Sequence, residues 1–119
     1  MEYLNYIIPA FILIFLVKSF LPVKGIRQIS TNDLKKELND KNKQFIDVRT
    51  PGEFKTNNIS GFKNIPLQVL DEKVNELSKD KEIVLICQSG MRSSKASKKL
   101  KKQGFKQVTN VKGGMSFWK

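Results

Sequence analysis

Apolar residues in this chain fall into two patterns. One is the short stretch of strand length: Ile26–Ile29, Phe45–Val48, Ile83–Ile86 and Val108–Val111, with a minimal one at Asn64-Ile65 before Pro66. The other is recurrence every three or four residues: Leu34 and Leu38, then Leu67, Leu70, Val74 and Leu77, then Ala96 and Leu100. The first pattern predicts strands, and the unbroken Ile83–Ile86 run a strand buried on both faces. The second predicts helices with one apolar face. Start signals agree. Ser30-Thr31-Asn32-Asp33 has the S-x-x-D form, and Thr50-Pro51-Gly52-Glu53 is a capping box with proline at the first helical position. Gly104 ends the helix that carries Ala96 and Leu100. Strands alternating with helices predict an α/β domain: an open, mainly parallel sheet of about five strands with helices on both faces. Ligand sites in such sheets lie beyond the carboxyl ends of the strands.

A third pattern precedes these. From Tyr6 to Val17 no side chain is charged, and Tyr3–Leu21 contains only Asn5, Lys18 and Ser19 as polar members. As a helix, that segment would span about 28 Å, near the ~30 Å of a hydrocarbon core. Pro9 is tolerable in such a setting. A cleaved signal peptide fits less well, because the start carries Glu2 and no A-x-A pattern follows. Residues 1–24 are therefore expected to form a membrane anchor with a short linker, one transmembrane helix touching lipid through residues 3–21. Residues 25–119 form the domain. Lys18, Lys24 and Arg27 flank the apolar segment, which places the domain on the cytoplasmic side of the cell membrane.

Composition narrows the chemistry. The 119 residues contain no histidine and one cysteine. Cys–His and Ser–His–Asp catalysis, histidine-ligated metal, an internal disulfide and a CxxC pair are all excluded. No metal or cofactor is expected. The formal net charge of +11 is unevenly spread. Met1–Cys87 carries about +2, whereas Gln88–Lys119 holds nine Lys/Arg and no acid. Such a stretch can attract nucleic acid, an anionic membrane or a small anion, or simply form a solvated lysine-rich helix face. The lysine run lacks interleaved aromatics before Phe105, which argues against stacking on single strands.

The one thiol, Cys87, sits where the buried strand turns into a helix. In Cys87-Gln88-Ser89-Gly90-Met91-Arg92 the backbone N–H groups lack helical acceptors and can converge on an anion. Gly90 permits conformations closed to other residues. Arg92 and the helix dipole add positive potential. This setting favours thiolate, which needs no histidine to act as a nucleophile. The opposing reading is a cysteine that merely fills the core, and a sulfur buried out of solvent's reach would defeat the thiolate reading.

The loop resembles the active-site loop of rhodanese-like sulfurtransferases, in the Cys-x4-Arg form of single-domain members. Three other segments are similar in order: "FIDVRTPGEF" (45–54) to the family's Asp-Val-Arg stretch, "NNISGFKNIPL" (57–67) to its Gly-His-Ile-x-Gly-Ala-x-Asn-Ile-Pro segment, and "VTNVKGGMSFW" (108–118) to its Gly-Gly-x-x-x-Trp close. The likeness covers about 95 residues. Asn58 stands where the family often has histidine, and Phe62 where it often has alanine. The resemblance implies transfer of a sulfane sulfur through a persulfide on Cys87. A small anionic donor such as thiosulfate supplies the sulfur, the amides of Gln88 to Arg92 cradle it, and an external thiol, cyanide or acceptor protein removes it. Asp47 and Arg49 match the Asp-Val-Arg stretch and are read as a supporting ion pair. Glu53 is read as the capping partner of Thr50, Ser93 and Ser94 as helix-start residues, and Phe117 and Trp118 as core anchors.

Two other functions stay open. Cysteine phosphatases and arsenate reductases use a similar loop, but with five residues between Cys and Arg, which encloses more space than the four here. A non-catalytic, membrane-tethered binding module is the second, its lysines meeting a partner.

Overall fold

The computed structural model describes residues 4–20 and 25–119. The element order is α1 (Leu4–Phe20), β1 (Ile26–Ile29), α2 (Thr31–Glu37), β2 (Lys43–Asp47), α3 (Pro51–Thr56), β3 (Lys63–Asn64), α4 (Leu70–Lys73), β4 (Glu82–Ile86), α5 (Met91–Lys102) and β5 (Val108–Val111). Short 3-10 turns flank α4 at Leu67–Val69 and Val74–Glu76, and another follows β5 at Gly114–Phe117.

The five strands form one sheet in the order β1-β5-β4-β2-β3, and every pairing is parallel. β4 lies at its centre, and its residues alternate between two cores. Ile83 and Leu85 face Leu70, Val74, Ala96 and Leu100, while Val84 and Ile86 face Leu34, Phe45, Phe62 and Met115. Side chains on a strand point to opposite faces in turn, so a strand covered on both sides must be apolar throughout. That is why Ile83–Ile86 is unbroken.

Both capping boxes form as expected. Ser30 accepts from the Asp33 amide while Asp33 accepts from the Ser30 amide, and Thr50 and Glu53 repeat the arrangement at α3. α5 ends at Lys102, followed by Gly104 at φ +95°. One element departs from the pattern. The single helix expected over Leu67–Leu77 is split into 3-10, α and 3-10 pieces. Leu67 and Leu70 are three apart, as are Val74 and Leu77, which suits the three-residue repeat of a 3-10 turn better than continuous α-helix.

The transmembrane expectation needs correction. α1 has 17 residues, a length of about 25 Å against the ~30 Å to be crossed. Among the described residues no helix is long and apolar enough to cross a membrane. Tyr3 and Leu21, the ends of the expected span, lie outside the described residues. Lipid contact through residues 3–21 thus has no spanning helix behind it. Residues Asn5–Leu16 of α1 are exposed, and none of them belongs to either core.

At the amino-terminal end of the sheet, Arg27 pairs with Glu37 and Glu82, and Lys43 joins both carboxylates. This cluster ties β1, β2, β4 and α2 together at the end opposite Cys87. The Arg27 hydrogen bonds hold the Glu37 carboxyl at about 2, well below the usual range.

Candidate active site

β4 ends at Ile86 and delivers Cys87 to the carboxyl edge of the sheet. The chain then reverses. Gly90 takes a left-handed conformation at φ +99° and opens α5. This turn brings the Gly90 amide back onto the sulfur, donating to Cys87 Sγ at 2.9 Å. Ser93, one turn into α5, donates its hydroxyl to the same sulfur at 3.3 Å and lies 3.2 Å from the Gly90 carbonyl. Ser93 is thus more than a helix-start residue.

Behind the loop stands the segment after β5. The Met115 amide donates to the Cys87 carbonyl at 2.8 Å. The Ser116 amide and hydroxyl both donate to the Gln88 carbonyl, at 3.0 and 2.8 Å. Gly114 allows this close approach, since a Cβ there would lie 2.0 Å from the Cys87 carbonyl oxygen. The Gly113-Gly114 pair, which the sequence shows only as a terminal motif, therefore holds the back of the thiol loop.

Three features of the loop bear on its expected role. First, Cys87 is fully buried and belongs to the first core with Leu85, Ala96 and Leu100; this counts against an open thiolate, although the exposed Gln88 and Ser89 follow it directly. The two donors to the sulfur, from Gly90 and Ser93, are what a purely core-filling cysteine leaves unexplained. Second, the backbone contact with the Cys87 sulfur itself comes from the Gly90 amide, within the Gln88–Arg92 run expected to cradle a transferred sulfur. Third, Arg92 does not point its charge freely at the loop. Its guanidinium makes two bonds to the Glu53 carboxylate, at 2.6 and 2.9 Å. These bonds hold Glu53 down at about 2. The Arg92 guanidinium is raised by the same bonds, and the neighbouring Cys87 and Asp47 push the same way. Glu53 keeps its predicted capping role and adds this one, joining the start of α3 to the start of α5.

Asp47 and Arg49 form the expected ion pair, at 2.8 Å, with both side chains almost fully buried. Arg49 also donates to the Asn57 carbonyl and approaches the Gln88 side chain at 3.4 Å. Asn64 donates to the carbonyls of Asp47 and Arg49. The pair thus supports the turn after β2, which faces the thiol loop across a cleft of about 540 Å³ lined by Arg49, Gly52, Glu53, Thr56, Asn57 and Gln88. Phe62 is buried and packs on Phe45 at 5.3 Å between ring centroids. Asn58 donates to the Phe54 carbonyl and takes no part in the loop. Phe117, expected in the core, is 66% exposed. Trp118 is half-buried against the second core.

The family model for the rhodanese-like domain matches residues 30–119. The chain belongs to the rhodanese-like family. A solved rhodanese-like domain protein from Staphylococcus aureus superposes with a TM-score of 0.73 at 33% identity, covering 78% of this chain and 91% of that one. The putative sulfurtransferase YtwF of Bacillus subtilis is 45% identical over 94 residues, which is 78% of this chain and 90% of that protein. The putative sulfur carrier protein YrkF of the same organism is 40% identical over 95 residues, 79% of this chain and 51% of that protein. The chain spans about half to three-fifths of the length of two of the curated relatives it matches. In this rhodanese-like domain the parallel sheet carries the thiol loop at its carboxyl edge, as the fold class requires.

Proposed function

We propose that the chain is a rhodanese-type sulfurtransferase that carries a sulfane sulfur on Cys87. The observation that carries this reading is the sulfur at the end of β4, receiving hydrogen bonds from the Gly90 amide and the Ser93 hydroxyl. Donors aimed at a sulfur stabilise negative charge on it, in the thiolate and in the persulfide alike. Relatives that bear the names sulfurtransferase and sulfur carrier lend support at moderate identity.

In the first half-reaction the Cys87 thiolate attacks the outer sulfur of thiosulfate. A new S–S bond forms at Cys87, the S–S bond of thiosulfate breaks, and sulfite leaves with its electron pair. In the second, an acceptor thiolate attacks the terminal sulfur and takes it, returning Cys87 as thiolate. The chain has no second cysteine, so the acceptor comes from another molecule. Because Cys87 is buried, the Gln88-Ser89-Gly90 turn must move aside for the donor. The cleft beside Gln88 and Arg49 is the side from which it enters.

The test is intact mass after thiosulfate treatment of the native chain and of Cys87→Ser. Gain of one sulfur by the native chain alone, removed by an added thiol, is the expected result. No gain removes thiosulfate as donor, and turnover of phosphate esters by the same chain overturns the sulfurtransferase reading.

A further inference from the structure

Outside α1, the described residues expose two large apolar side chains, Met91 at 74% and Phe117 at 66%. Met91 belongs to the thiol loop and Phe117 to the segment behind it. Met91 follows Gly90, and Phe117 closes the 3-10 turn whose Met115 and Ser116 hold the loop carbonyls. The two segments meet where a Cβ on Gly90 would lie 3.2 Å from the Gly113 nitrogen. The Phe117 ring lies directly over Gly113, where a Cβ would be 1.8 Å from a ring carbon. The ring is thus seated at the surface by a neighbour that has no side chain.

Beside Phe117 is a second cleft, of about 510 Å³, lined by Lys35, Lys112 and Lys119 with Ser30, Thr31 and Asn32 among the other walls. No Asp or Glu is among its walls. Lys99 and Lys106 elsewhere on the domain pair with Asp71 and Asp80, but none of the three cleft lysines has an ion pair among the described residues. Lys35 instead lies over the Trp118 ring, 5.3 Å from its centroid. Unpaired cations around an exposed aromatic, on the segment that backs the thiol loop, make a surface for something larger than thiosulfate. A small inorganic donor makes no use of an exposed Phe117. A nucleic-acid strand would want a track of stacking aromatics, and only Phe117 is exposed here.

Resting on the sulfurtransferase reading, we propose that this surface docks the sulfur acceptor as a protein. Its thiol lies in an acidic segment with an apolar residue beside the cysteine. Phe117 and Met91 take the apolar contact, and Lys35, Lys112 and Lys119 take the carboxylates. Charge complementarity of this kind acts chiefly on encounter rate and partner choice.

The probes are two synthetic peptides, each with one cysteine next to leucine, one flanked by glutamates and the other by lysines, with 2-mercaptoethanol as a neutral small thiol. Sulfur transfer from the thiosulfate-loaded full chain to the acidic peptide is expected to be faster by roughly tenfold or more at low ionic strength, with the gap closing as salt rises. Lys112→Glu with Lys119→Glu should reverse the preference while leaving transfer to 2-mercaptoethanol unchanged. Fluorescence anisotropy of dye-labelled peptides on the Cys87→Ser chain reads docking without chemistry. A failed sulfur loading is thereby told apart from a failed docking. Equal binding of both peptides overturns the proposal, as does tight binding of a single-stranded RNA that the acidic peptide fails to displace.

Discussion

Gly114 has no room for a side chain. Its Cβ would sit 2.0 Å from the Cys87 carbonyl oxygen, a backbone atom fixed by the Met115 amide. Gly113 also lacks room, but there the obstacle is the Phe117 ring, which can swing away into solvent. Both residues have positive φ, at +73° and +54°, so an alanine at either costs about 1–2 kcal/mol from backbone strain alone. Gly114→Ala is therefore expected to lose clearly more stability than Gly113→Ala in urea unfolding, about 2 kcal/mol or more in total. It should also slow sulfur loading of Cys87, because the carbonyl it displaces anchors the thiol loop. Equal losses at the two positions would mean that the loop yields rather than resists.

Between elements, the Glu53–Arg92 bridge joins α3 to α5 beside the thiol loop. Its carboxyl is ordinarily near 4.5 and is held at about 2 here by the Arg92 hydrogen bonds. A lowered folded-state value stabilises the fold while the carboxylate is ionised. The contribution is full above about 4.5 and is lost as the pH falls towards 2. Glu53→Gln should accordingly melt below the native chain at neutral pH, with the gap shrinking progressively as the pH is taken below about 4.5, read by thermal melts across the acid range. Glu37 at the opposite end of the sheet titrates in the same window for the same kind of reason. The difference between the two proteins, not the native curve alone, isolates Glu53.

At the scale of the whole molecule, stability resides in residues 25–119. Both cores are built from that part, and Asn5–Leu16 of α1 stay exposed. A chain beginning at Gly25 is expected to unfold cooperatively with a midpoint within about 2 °C of the full chain. A large fall would show that the amino-terminal helix packs on the domain. The charge distribution also belongs to this scale. All the acids precede Cys87 in sequence, and the fold spends several of them on lysines and arginines of the later part, such as Asp71 on Lys99 and Glu53 on Arg92. The unpaired remainder around Phe117 is what survives as a surface property.

Local sequence pattern determined the alternation of strands and helices, both capping boxes and the position of Cys87 at a strand end, because these depend on residues close in sequence; the parallel sheet followed from that alternation. The broken helix at Leu67–Leu77 was legible only in part, since spacings of three and of four both mark a helical face. Other features were decided by tertiary contacts between distant segments: the burial of Cys87, the clamp of Met115 and Ser116 on its loop, the capture of Arg92 by Glu53 39 residues away, and the exposure of Phe117. Local pattern carries no record of which carbonyl an amide will meet across the fold, or of which carboxylate will claim a guanidinium. The α1 segment shows the converse: a run of apolar residues fixes a helix, yet among the described residues that helix has 17 members and none is long enough to cross a membrane.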